Sequence, residues 1–491
     1  FALDTSLRLL AYFNEYFGIP YPLEKLDHVA IPDFAAGAME NWGMITYRET
    51  ALLVDPENSA AATRQRVAEV VSHEMAHMWF GDLVTMAWWN DLWLNESFAS
   101  WMGDKAVDHV FPEWEMWTQF VSMDTVRALS LDGLNNSHPI EAEVRYPAEV
   151  EQLFDAISYS KGGSLIRMLE QFLGPETFRD GLHRYLSTHQ YANARTEDLW
   201  AAMEAASGQP VSALMATWTK QMGYPVVAVE SRREGGRVHL DFSQSRFLYT
   251  HLLDEGETDP SRWKVPLSIV TAAGGEPVGL LMEEETAHLD LPEPAASGPG
   301  GPWVKVNAAQ TGFYRVSLPQ EDWAALAPAV ESRELAPTDR LGVQSDAYAL
   351  SRAGYLPITR FLGLAASYRE EVDSTVWRDL AGNLGDLDQI IAQEPFHDRF
   401  RTLARNLFAP LSVRMGWEAR AGETHLDALL RSLALGQAGY FGDEAPVREA
   451  KRRFEGFLST GTAIAPDLRG VVYGLAAQGG DRSTYDRLWD L

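Results

Sequence analysis

The chain has 491 residues, which at ~100–200 residues per domain predicts about three domains, and its 46% hydrophobic and 22% charged content excludes wholesale disorder. Lys and Arg number 41 against 69 Asp and Glu, a formal charge of −28 that repels phosphate backbones and argues against a nucleic-acid partner. Cysteine is absent, so disulfides, thiolate metal sites and a cysteine nucleophile are excluded, and any metal site must use His and carboxylates.

Ala2–Phe17 has the apolar spacing of an amphipathic helix that stops at Gly18. A chain that opens inside a helix on Phe1, and ends at Tyr485–Leu491 without a stop signal, predicts an interior portion of a longer protein. Strand-like runs at Asp27–Ile31 and Gly43–Val54 give way to helical patterns from Thr63 onward, making residues 1–222 a mixed region. Val226–Glu230, Val238–Phe242, Val265–Thr271, Val278–Met282, Val304–Asn307 and Phe313–Leu318 are short, β-branched and parted by Gly, Pro and Asp turns. They predict a small sandwich. The Ala- and Pro-rich patch Pro292–Pro302 is expected to be a surface loop within it. From about residue 322 the pattern is helical, with breaks expected at Gly354, Pro357, Gly382 and Gly436. No run approaches the ~20 apolar residues of a membrane span, and no internal repeat is evident.

The strongest chemical signal is His73-Glu74-Met75-Ala76-His77, in a segment (Arg66–Phe80) with helical periodicity and a stop at Gly81. Two His four apart on a helix point the same way, the arrangement two imidazoles need to bind one Zn²⁺. Glu74 is rotated by roughly 100° from His73, so it flanks the metal and can take a proton from metal-activated water. A third ligand is needed; Phe80 and Leu83 rule out the metzincin His, and the best candidate is Glu96, nineteen residues after His77 where a second helix begins. The plain alternatives are a satisfied His pair and a solvated carboxylate at a helix start.

These residues have company. Gly37-Ala38-Met39-Glu40-Asn41 precedes the His pair, and Phe154-Asp155-Ala156-Ile157-Ser158-Tyr159-Ser160-Lys161-Gly162 follows it, with Ser137-His138-Pro139-Ile140 and Gln310-Thr311-Gly312-Phe313-Tyr314-Arg315 beyond. In order and spacing the set resembles the M1 family of zinc aminopeptidases, nearest its puromycin-sensitive branch. The resemblance implies a multidomain α+β fold: a thermolysin-like catalytic domain over 1–222, a β-sandwich over 223–320 and part of a superhelical α-domain over 321–491. It implies one Zn²⁺ per chain on His73, His77 and Glu96, with Glu74 as general base and Tyr159 stabilising the oxyanion. Glu40 would bind the substrate's free α-amino group. Gly37 and Ala38 would hydrogen-bond the peptide as an edge strand, Met39 would cushion the first side-chain pocket and Asn41 would orient the loop. An exopeptidase carboxylate has nothing to pair with in an acylated amine, which rejects internal bonds.

Family members usually carry an N-terminal β-sandwich before the catalytic domain. The resemblance implies that this domain is absent here, so amine recognition is expected to rest on Glu40 and Glu96. His28, His109, His138 and His183 lack ligand-like spacing and are expected to be structural; Asp155 and Lys161 receive no role. The partners implied are peptides with a free N-terminus, for a monomer without membrane contact; zero Cys and no visible targeting segment suit a cytoplasm. Competing readings are a gluzincin endopeptidase, a bifunctional epoxide hydrolase on the same frame, a catalytically silent scaffold, and an inactive fragment.

Overall fold

The computed structural model describes residues 1–250, 259–295 and 301–491, which divide into two compact units. One comprises Phe1–Leu53 and Val67–Ser367, the other Val54–Arg66 and Tyr368–Leu491.

In the first unit, α1 (Ala2–Phe17) ends as expected on Gly18, whose left-handed backbone (φ 64°) lets its N–H reach the Asn14 carbonyl. Phe13 and Phe17 of α1 pack against the buried Trp79 ring at 5.7 and 5.1 Å, and Trp79 Nε1 donates to the Ile19 carbonyl. The N-terminal helix thus supports the chain just past the His pair. Strands β1 (Asp27–Ile31), β2 (Ala38–Met39) and β3 (Met44–Arg48) form a sheet in the order β1-β3-β2, with β1 parallel and β2 antiparallel to β3. The run expected to reach Val54 leaves the sheet at Arg48, because Glu49–Ala51 turns into a 3₁₀ helix.

Helix α2 runs Ala61–Ala76, not to Phe80. Residues 77–80 wind on as turns, and Phe80 is drawn away to bridge Val84 and stack on Phe98 at 4.4 Å. Two three-residue strands that propensity did not suggest, β4 (Val84–Met86) and β5 (Ala192–Ala194), pair in parallel. Helix α3 (Trp93–Val110) lies between them in sequence, with Trp93, Phe98 and Trp101 buried.

Next come β6 (Pro225–Glu234), β7 (Arg237–Arg246), β8 (Val265–Thr271), β9 (Val278–Met282), β10 (Thr286–Pro292), β11 (Val304–Val306) and β12 (Arg315–Ser317). They form sheets in the orders β10-β7-β6-β12 and β11-β8-β9. The β6–β7 hairpin turns on Gly235-Gly236, both with positive φ, and pairs ten residues on each side. β10 was not foreseen, although its Thr-Ala-His-Leu-Asp-Leu run alternates polar and apolar residues as a half-buried strand does; only Leu291 of it is buried. Pro292 closes that strand; of the expected loop after it, 296–300 lie outside the described residues.

In the second unit, residues 54–66 are tied to the C-terminal helices. Ala61 N donates to Asp467 Oδ1 at 2.6 Å, and Gln65 Oε1 lies 2.7 Å from His425 Nε2. Gly354 and Pro357, in the first unit, do bound helices. Gly382 and Gly436 do not: they sit inside Ser374–Ile390 and His425–Tyr440. A glycine costs a helix ~1 kcal/mol, and the buried neighbours Leu380, Leu384 and Leu387, or Ala434, Leu435 and Ala438, outweigh it. Among the described residues no helix is long and apolar enough to cross a membrane.

Candidate metal centre

His73 and His77 stand on the last turn of α2 and just beyond it, and Glu96 on the first turn of α3. Their donor atoms form a triangle. His73 Nε2 lies 3.1 Å from His77 Nε2, and Glu96 Oε2 lies 3.4 and 3.5 Å from them. Ligands ~2.0–2.1 Å from a tetrahedral ion are ~3.3 Å apart, so this donor set fits Zn²⁺. His77 Nδ1 is 2.9 Å from the Phe80 carbonyl and donates to it, which leaves Nε2 as the donor facing the centre.

Glycine brings the helices close enough. A Cβ on Gly103 of α3 would lie 3.2 Å from His73 Cα, and Ser72 Oγ donates to the Gly103 carbonyl at 2.8 Å. Gly81, at φ 134°, would bring a Cβ to 3.3 Å from His77 Nδ1. Each close approach shortens the span between α2 and α3.

Carboxylates crowd the pair. Glu40 Oε1 is 4.0 Å from His77 Nδ1, and Glu74, itself buried, acts on the same ring. Burial disfavours charge on His77, but Glu40, Glu96 and Glu74 outweigh it and hold its pKa up at about 10. His73, also buried, is held below the ordinary imidazole value. Burial raises Asp82 to about 7 beside His77 and Glu40, and its Oδ2 is buried without a hydrogen-bond partner. Three glutamates around two imidazoles make a pocket that attracts cations. Sequence reasoning missed Asp82, which has no spacing signal of its own.

Tyr159 stands in a π-helical turn, Ile157–Lys161, with its ring stacked 6.0 Å from the His73 ring. Burial, Glu96, Glu40 and Glu74 push its phenol far above the usual tyrosine range, so it remains a proton donor. The turn is pinned against α3: a Cβ on Gly162 would strike Ser97 Oγ at 1.8 Å, and that hydroxyl donates to the Ser158 carbonyl at 2.5 Å. Asp155 Oδ1 accepts from the N–H groups of Ile157 and Ser158, and its Oδ2 meets His138 Nε2 at 2.9 Å. Lys161 Nζ pairs with Asp132 at 2.8 Å, both fully buried. Asp155 and Lys161, left without a role by the sequence, thus hold the tyrosine's turn, and His138 orients Asp155. His28 Nδ1 meets the Tyr47 hydroxyl at 2.9 Å.

Of the remaining expected residues, Gly37 accepts from Arg48 N–H at 2.9 Å, and Ala38–Met39 is the edge strand β2. Met39 is half exposed. Asn41 Nδ2 donates to Thr46 Oγ1 at 3.1 Å and spans the turn into β3.

A His-Glu-x-x-His helix whose third donor comes from the following helix is a metallopeptidase arrangement. The chain matches the Peptidase family M1 domain over residues 1–218 and the ERAP1-like C-terminal domain over 303–491. It is 44% identical to Aminopeptidase M1 of Arabidopsis thaliana over 99% of this chain and 56% of that protein. It is 43% identical to Aminopeptidase M1-A of Oryza sativa subsp. japonica, over 96% and 53% respectively. Against Puromycin-sensitive aminopeptidase of Caenorhabditis elegans the identity is 39%, over 100% and 52%. The chain belongs to peptidase family M1, and it spans about half the length of the curated relatives it matches.

Proposed function

We propose that this chain carries the catalytic centre of a zinc-dependent aminopeptidase that removes the N-terminal residue from peptides. The observation that carries the reading is the triangle of His73, His77 and Glu96 donors with Glu40 and Tyr159 at its edge. Zinc held by those three residues would supply the Lewis acidity that makes water a nucleophile at neutral pH and polarises the scissile carbonyl. Glu74, one residue from His73, takes the proton of the attacking water and returns it to the leaving amine. The Tyr159 phenol donates to the developing oxyanion. Glu40 pairs with the substrate's terminal ammonium; an acylated amine would leave that carboxylate desolvated and unpaired. The outer edge of β2 offers the Ala38 backbone groups to an extended substrate, as in strand addition, while the Gly37 carbonyl is taken by Arg48 N–H within the sheet. Met39 borders the first side-chain pocket, and Asn41 holds the turn that aims Glu40.

The test compares a leucine anilide with its N-acetylated twin, with and without a chelator. Chelator-sensitive cleavage of the free amine alone is expected. Cleavage of both would indicate an endopeptidase, and cleavage of neither by a folded, zinc-loaded chain would overturn the reading for this chain.

A further inference from the structure

A second set of His and Asp side chains lies outside the centre described above. β7 and β10 pair antiparallel with His239 opposite Asp290 and Asp241 opposite His288. All four positions share one face, because side chains two apart on a strand point the same way. That face is open to solvent: the four side chains are between 27% and 50% exposed.

The contacts within the set are directional. Asp290 Oδ1 lies 2.6 Å from His239 Nδ1 and 2.8 Å from His288 Nε2, so one carboxylate oxygen faces two imidazole nitrogens. The other nitrogen of His288, Nδ1, lies 2.6 Å from Asp241 Oδ1. Asp241 is held in turn by Arg232 of β6, whose Nη2 reaches Asp241 Oδ2 at 2.7 Å. Ligand atoms of His239, His288 and Asp290 fall within 4.8 Å of one another.

We propose that His239, His288 and Asp290 form a second divalent-metal site, suited to Zn²⁺, clipping the edge strand β10 to β7. Two imidazoles and a carboxylate are a borderline-soft donor set that zinc accepts, with water completing four-coordination. Asp241 orients His288 from behind through Nδ1, as a carboxylate does for a metal-bound histidine, and Arg232 orients Asp241. With carboxylates at both nitrogens, His288 carries two N–H groups; its Nε2 proton and the His239 Nδ1 proton, both donated to Asp290, stand where the metal would bind, and zinc displaces both, the first to solvent and the second to His239 Nε2. The two nitrogens need to part from Asp290 Oδ1 by roughly 0.5–0.7 Å to reach the ~3.3 Å spacing of tetrahedral ligands. Exposed side chains on a strand face do this by small χ rotations. β10 is an edge strand, and a cross-strand metal clip stiffens an edge that pairing leaves open on one side.

The experiment measures zinc bound per chain by untagged protein equilibrated with micromolar zinc and washed through a desalting column, then repeats it on the His239→Ala/His288→Ala double variant. The variant is expected to hold about one equivalent fewer than the parent, whatever the metal content of the first centre. Asp241→Asn, which keeps all three ligands, is expected to weaken this second site by about 10–100-fold. At zinc tenfold above the dissociation constant, amide exchange in β10 should slow by about tenfold in the parent alone. Both substituted positions are on the exposed face, and an unchanged circular dichroism spectrum would report an intact fold. Equal zinc content in parent and double variant, or β10 exchange indifferent to zinc in the parent, would overturn the proposal.

Discussion

The molecule holds two His–carboxylate clusters built on opposite principles. In one, His73 and His77 come from a single helix four residues apart, and Glu96 is brought in from the next helix; His77 and Glu96 are almost fully buried. In the other, His239, Asp241, His288 and Asp290 come from two paired strands and stand in water. Helical period makes the first legible in a five-residue string; strand period spreads the second over fifty residues, with nothing local to mark it. Burial also separates their chemistry. Around His77, carboxylates act across low dielectric and shift its pKa to about 10, whereas the exposed set is screened. The buried cluster is suited to catalysis, the exposed one to holding strands together.

This contrast can be broken experimentally. The largest effect expected is from Glu74→Gln, which should retain zinc at the first centre and lose kcat by about 10³–10⁴-fold; near-parental turnover would remove Glu74 as the base. Tyr159→Phe should lower kcat by about 10²–10³-fold with little change in KM, since its bond forms to the oxyanion; a pure KM effect would argue for a binding role.

A smaller effect is expected from the turn that carries Tyr159. The hydrogen bond to Asp155 raises the His138 pKa above 6.5. Burial works against charge on Asp155, but His138 and the N–H groups of Ser158 and Ile157 outweigh it and lower its pKa below 3.8. The sign follows from both shifts. The His138 contribution is complete below pH 6.5 and lost as pH rises through its raised folded value; the Asp155 contribution is complete above pH 3.8 and lost as pH falls through its depressed one. Both groups are partly exposed, so the pair contributes less than about 1 kcal/mol. Asp155→Asn should therefore cost roughly tenfold in kcat through a displaced Tyr159, and flatten the alkaline fall in melting temperature. Unchanged kcat and an unchanged alkaline slope would show that the turn holds itself. The smallest effect is expected on the far side of the comparison: His239→Ala/His288→Ala should leave kcat/KM for a leucine anilide unaltered. A marked loss there would mean the strand cluster is coupled to catalysis.

The His pair was legible from sequence because its elements are local. His73, Glu74 and His77 fall within five residues at helical spacing, and Gly18 announces itself by the backbone conformation it permits. β8 and β9 were bounded by β-branched runs. What escaped was decided by partners far along the chain. β4 and β5 are three residues each and exist only by pairing across more than a hundred residues. β10 carries alternating polar residues because its outer face is solvated. Gly382 and Gly436 read as breaks until the packing of their helices is known. Asp82 lies beside the centre, and His138 and Asp155 lie beside the Tyr159 turn, without any spacing that local chemistry would flag.

By itself, the sequence determined the class of chemistry: no thiols, a His pair at helical spacing, a glutamate between them, and the motifs that place the chain in family M1. Tertiary structure decided the distances that chemistry needs. Gly103 and Gly162 let α3 approach α2 and the Tyr159 turn to within side-chain contact, and β-pairing drew His239 and Asp241 against Asp290 and His288. Periodicity fixes only which way a side chain points from its own element. The separation between elements is set by packing of atoms remote in sequence, and metal and proton chemistry is sensitive to tenths of an ångström in that separation.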